Sequence, residues 1–193
     1  MERKTIIRRP CRAILLSALI FASACASAGE GYRDPNMDFG SIYTVAVMPL
    51  ANYSREPQAA ERVRDVYVTM LLASGGVYVI PSGEVAKGIS VAGLANPTSP
   101  SKEEIIKLGS RVKVDAIITG AVREYGEVRS GNSSANVLSL SMQLTEVQTG
   151  KVVWAGSSTR GGVGLVERLF GGGGEPLNNV TEKAVNDVIK QLF

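Results

Sequence analysis

Apolar and polar positions follow three rhythms along this chain, and each rhythm predicts a different element. Residues 44–50 (Thr-Val-Ala-Val-Met-Pro-Leu), 77–80 (Val-Tyr-Val-Ile) and 116–122 (Ala-Ile-Ile-Thr-Gly-Ala-Val) are near-continuous apolar runs. Runs this short predict strands buried on both faces of a sheet. In residues 138–145, Leu138, Leu140, Met142 and Leu144 alternate with Ser139, Ser141, Gln143 and Thr145. That period of two predicts a strand with one apolar face and one wet face. Gln148-Thr149-Gly150-Lys151 predicts a hairpin turn, with residues 152–156 returning antiparallel.

The third rhythm is helical. Pro57 suits a first helical turn, and Ala60, Val63, Tyr67, Met70 and Leu71 then recur on one face until Gly75-Gly76 stop it. Residues 82–89 predict a short helix. Ser101 and Glu104 have the spacing of a capping box ahead of Ile105, Leu108 and Val112. Asn179 with Glu182 predicts the start of a last helix, whose buried stripe is Thr181, Ala184, Val185, Val188, Ile189 and Leu192. Residues 125–135 and 157–176 are polar or glycine-rich and read as loops. The expected fold is α/β, a mixed β-sheet of about five strands in β-α-β-α-β-β-β-α order, flanked by helices. Its first two strands should be parallel, as in a βαβ unit. Trp154 and Tyr78, in strands beside valines, are expected in the core.

The N-terminus has a pattern of its own. Arg3, Lys4, Arg8, Arg9 and Arg12 precede an uncharged apolar stretch, residues 13–21, which is shorter than the about 20 residues of a membrane-spanning helix. Ala22-Ser23-Ala24-Cys25 follows. The whole predicts a secretory signal, and the residues before Cys25 resemble the bacterial lipobox. The expected layout is a signal peptide over residues 1–24, a lipidated tether over 25–40 and a periplasmic domain over 41–193, with Cys25 as the lipid attachment site. Ordinary signal cleavage after Ala24 fits the same small residues. Ala26, directly after the cysteine, resembles the sorting preference for the outer membrane, which implies the leaflet facing the periplasm.

Cleavage changes the charge picture. Subtracting five of the 21 Lys+Arg and one of the 18 Asp+Glu leaves 16 against 17, about −1. The mature domain then has no basic bias of the kind that binds phosphate backbones, and nucleic acid is not an expected partner. Cys11 leaves with the signal and Cys25 carries lipid, so no disulfide is expected.

Residues 45–50 followed by Asn52-Tyr53-Ser54, then 76–81, 115–122, 149–154 and the helix to Phe193, together resemble the CsgG/LpoB/TolB-N-terminal type of envelope domain. The resemblance implies a lipoprotein or periplasmic domain that binds other proteins, in settings such as peptidoglycan-synthase activation or secretion assembly. It also offers an alternative, an oligomeric CsgG-like channel component. A barrel-forming strand needs about 9–11 alternating residues, and neither residues 84–101 nor 123–136 show that alternation.

The candidate chemistry is sparse. There is no histidine, which removes the commonest general base and zinc ligand. No catalytic residue, metal or cofactor is expected, and the protein is expected not to be an enzyme; a periplasmic hydrolase built on a Ser–Lys pair is the alternative. Gly171-Gly172-Gly173-Gly174 is followed by Glu175-Pro176, not by the Lys and Ser/Thr of a phosphate loop. Asn52, Tyr53 and Arg55 follow a buried strand, where α/β folds expose binding loops. Leu169 and Phe170, with Leu165 and Val166, form an apolar patch amid glycines. These five, Asn52, Tyr53, Arg55, Leu169 and Phe170, are the candidate partner-binding residues. The expected function is a membrane-anchored, non-catalytic adaptor or regulator for an envelope protein complex, with self-association into a homo-oligomer also open.

Overall fold

In the computed structural model, residues 31–130, 133–162 and 174–193 are described, save the side chain at 130. The three buried runs become the parallel part of one sheet. Strand β2 (Thr44–Val47) lies between β4 (Tyr78–Val79) and β5 (Ala116–Ser130), parallel to both. The alternating run becomes β6 (Ser133–Glu146), which pairs antiparallel with β5 and with β7 (Val152–Gly161). A two-residue strand β1 (Tyr32–Arg33) closes the far edge against β7, and β3 (Ala51–Asn52) runs beside β5. The sheet order is β1-β7-β6-β5-β2-β4.

Two core layers follow from the strand period. Val45, Val47, Ile118, Leu140 and Leu144 share a cluster with Val63, Tyr67 and Leu71 of α1 (Ala59–Ser74) and with Val180, Ala184 and Val188 of α4 (Leu177–Leu192). Ala46, Met48 and Ile117 form a second cluster with Val85 of α2 (Ser82–Ala92) and Ile105 and Leu108 of α3 (Lys102–Val112). Helices therefore cover both faces where the strands are parallel. Trp154 is buried and its Nε1 donates to Gln191 O at 2.9 Å. Arg33 Nη1 donates to Leu192 O at 2.7 Å. Both bonds satisfy carbonyls in the last turn of α4, where helix ends need outside donors.

Several expectations are corrected. Among the described residues the sheet has seven strands where about five were expected, because β1 and β3 are only two residues long. Residues 125–135 continue the β5–β6 hairpin: Tyr125 pairs with Leu138 and Val128 with Ala135. Cross-strand pairing overrides their local turn composition. Likewise β7 extends to Gly161, into the expected glycine-rich loop. Tyr78 is exposed, because β4 is an edge strand and Tyr78 lies outside both clusters. Helix α4 starts at Leu177, before Asn179. Residues 31–40, read as tether, belong to the folded unit, with Asp34 N donating to Val153 O at 2.8 Å.

Candidate functional site

Along β2 and β3 the pairing register with β5 slips by one. Val47 lies opposite Ile118, whereas Ala51 lies opposite Ala121. Pro49, which has no N–H to give a ladder, stands in the slip. The phase of the strand changes there. Before it, Ala46 and Met48 face α2 and α3; beyond it, Leu50 joins the opposite core, and Ala51 and Tyr53 line the second face. A similar one-residue slip in β5 falls between Val122 and Glu124, so Arg123 is the extra residue.

The second face of the sheet is apolar only where α2 and α3 cover it. Farther along, where the strands are antiparallel and no crossover helix is supplied, the same face is wet. Thr119 and Ala121 from β5 and Ser141, Gln143 and Thr145 from β6 form the floor of a groove of about 410 Å³, within the usual size of ligand-binding clefts. Tyr53, 72% exposed, stands at its rim, and its N–H donates to Val122 O at 2.8 Å. The facing wall is Thr98, Ser99, Pro100, Lys102 and Ile105, with Gly150 and Val152 at one end.

That wall is held by local chemistry. Asn96 Oδ1 accepts from Thr98 N at 3.2 Å and from Thr98 Oγ1 at 2.8 Å. The capping box is complete: Glu104 N donates to Ser101 Oγ at 3.2 Å and Ser101 N to Glu104 Oε2 at 2.8 Å. The bond from the Ser101 backbone is the main reason the Glu104 carboxyl lies below its ordinary pKa. Gly150 has φ +63°, and a Cβ there would come within 2.6 Å of Lys102 Cγ. Only glycine lets the lysine stem lie across this turn.

The ionisable side chains lining the groove are Tyr53, Lys102 and Arg123. Neither cation forms an ion pair or hydrogen bond with a described residue through its side chain. Among the described residues, no serine hydroxyl is hydrogen-bonded to a lysine amine, and no cluster of His, Cys, Asp or Glu is arranged to hold a metal ion. Of the sequence-based candidates among the described residues, Tyr53 alone lines the groove. Asn52 is engaged within its own loop: Nδ2 donates to Glu56 O at 2.9 Å, and Oδ1 accepts from Ser54 Oγ at 2.8 Å. Arg55 is exposed and outside the groove lining. Leu169, Phe170 and Cys25 lie outside the described residues. The sequence reading missed Lys102 and Arg123, although it marked the wet face that they flank.

A family model for GNA1162-like lipoproteins matches residues 41–189. The chain belongs to this family. The resemblance to an envelope lipoprotein is thereby borne out, and so is the mixed α/β fold. Among solved structures, lipoprotein GNA1162 from Neisseria meningitidis is 21% identical, with a TM-score of 0.57 over 78% of this chain and 97% of that one. PelC from Paraburkholderia phytofirmans, solved as a dodecamer, is 20% identical, with a TM-score of 0.56 over 84% and 96%. The LpoB C-terminal domain from Salmonella enterica aligns more loosely, at 17% identity and a TM-score of 0.49 over 65% and 86%. No curated protein matches the sequence. At these identities the solved structures speak to the fold alone. No helix among the described residues of this GNA1162-like lipoprotein is long and apolar enough to cross a membrane.

Proposed function

We propose that this protein is an outer-membrane-anchored lipoprotein, lipidated on Cys25 and facing the periplasm, whose domain is a non-catalytic adaptor or regulator of an envelope protein complex. The observation that carries the proposal is the polar half of a sheet face that no described helix covers, beside a half sealed by α2 and α3. A sheet face normally packs against another layer. Here the polar half has the depth and mixed lining of a docking groove. The absence of histidine and the lack of any carboxylate among the described residues of the groove lining support binding over catalysis. An anchor on Cys25 suits such a role, since about 0.8 kcal/mol per buried CH₂ holds a multiply acylated protein to the bilayer.

Site-specific photo-crosslinking in cells tests the reading. A crosslinker at Gln143, on the groove floor, should yield a discrete protein adduct, whereas one at Glu61, exposed on α1, should not. A blank lane at Gln143 beside a strong adduct at Glu61 would overturn the docking role. Cys25→Ser should release the protein from the membrane fraction or leave it unprocessed. A cleaved variant still bound to membrane would remove the anchor.

A ring-forming assembly is the second reading, favoured by the dodecameric state of PelC. Mass measurement of the full protein in detergent, giving a closed multiple of the monomer, would support it.

A further inference from the structure

We infer that the segment received by this groove is an extended acidic peptide, with carboxylates about six residues apart; the inference rests on the docking reading above. The groove is not uniformly polar. Its floor carries neutral hydroxyls and an amide, Thr119, Ser141, Thr145 and Gln143, and among the described residues its only formal charges are two cations. Those cations lie at opposite ends along the strands. Lys102 lies across Gly150, just past the end of β6, where Thr145 pairs with Ile117. Arg123 stands six residues farther along β5, at the slip. Six residues of strand span roughly 20 Å, a length an extended peptide covers with a similar number of residues.

The nearby acids do not neutralise this pair. Glu104 is bound to Ser101 and accepts also from Ala95 N. Glu103 and Glu124 lie outside the lining, and Glu124 pairs across β6 at Ser139, beyond the groove. Glu146, in the turn beside Gly150, accepts from Thr149 Oγ1, and no described acid is ion-paired with Lys102 or Arg123. Thr145 is buried, but the half-exposed hydroxyls of Thr119 and Ser141 and the exposed Gln143 amide leave room for a backbone above them and offer it donors and acceptors. Anionic groups spaced to match both cations are the complement that this lining selects.

The test uses labelled seven-residue peptides and the full protein in detergent, read by fluorescence anisotropy. One peptide carries Glu at positions 1 and 7 with Ser and Gln between; a second carries the two Glu side by side; a third is neutral. The spaced peptide should bind at least tenfold more tightly than the neutral one, and more tightly than the adjacent one. Lys102→Glu and Arg123→Glu should each weaken it severalfold. The double variant should instead prefer a peptide with Lys at positions 1 and 7. Retained Trp154 emission confirms that each variant is folded. Equal binding of all three peptides, or an unaffected double variant, would overturn the inference. Competition by inorganic phosphate at the peptide's own concentration would reduce the site to a simple anion site and also overturn it. Should neutral glycan strands bind the groove while acidic peptides do not, the occupant is a sugar and the inference falls. The docking reading itself stands or falls separately, on the Gln143 adduct in cells.

Discussion

Replacing Gly109 by alanine should destabilise the domain, although alanine is the better helix former. Gly109 is buried in the interior of α3, where glycine costs about 1 kcal/mol relative to alanine. Propensity alone predicts a gain of that size. Packing opposes it. A Cβ at 109 would lie 2.2 Å from Val147 Cγ2, 2.6 Å from Cγ1 and 3.0 Å from Cβ. All three atoms belong to one stiff, β-branched side chain, whose backbone N–H is fixed to Asp115 O at 2.9 Å. Val147 cannot rotate out of the way, so α3 or the β6–β7 turn must move. Overpacking of this kind costs about 1–3 kcal/mol. The net is a loss of about 1 kcal/mol, which lowers the melting temperature by about 2–4 °C in a domain of this size. Gly83→Ala in α2, where a Cβ meets nothing within 4 Å, supplies the control and should be neutral or stabilising. Val147→Ala should cost stability alone yet rescue Gly109→Ala, a coupling that a double-mutant cycle measures. Thermal unfolding of the four proteins decides the matter. If Gly109→Ala is as stable as the parent, or Val147→Ala fails to relieve it, the packing account is wrong. Because α3 also carries Lys102 and Ile105 into the groove wall, Gly109→Ala should weaken peptide binding as well.

Arg64→Ala should cost about 1.5–3 kcal/mol in urea unfolding, the usual range for a hydrogen bond to a charged group. Its guanidinium donates to Val47 O at 2.6 Å and Met48 O at 3.0 Å, in place of a neighbouring strand where β4 has ended; a parental midpoint would refute this. Asp115 should make stability depend on acid. Burial alone would raise its carboxyl, but donors from Thr44 and Tyr43 outweigh that and hold it below its ordinary pKa. A lowered folded-state pKa stabilises above the unfolded value, about 3.9, and the benefit fades as pH falls through the folded value. Asp115→Asn should therefore be less stable than the parent at pH 7, and the gap should narrow below about pH 4; a gap independent of pH would count against it.

Much of the fold was legible because its signals are local. The capping box at Ser101 and Glu104, the stop at Gly75 and the alternation through residues 138–145 depend on neighbours in sequence, and all three are found. The groove floor was visible in that same alternation as a wet face. What escaped depends on distant partners. Tyr125 and Val128 look like turn residues until β6 pairs with them. Tyr78 looks like core until β4 proves to be an edge strand. Arg123 and Lys102 could not be assigned to one groove by inspection, since their places at its two ends depend on a strand slip and on the turn at Gly150. Asn52, by contrast, lies where expected but serves its own loop.

The slip around Pro49 lets near neighbours serve opposite sides of the sheet, Met48 in one core and Leu50 in the other. Substitutions at 48–51 change volume or polarity at one place. A single deletion between Val47 and Ala51 would remove the extra residue and leave Ala51 and Tyr53 on the groove face, but one of the two cores would lose a side chain. Alleles of this protein should thus keep apolar residues at both 48 and 50.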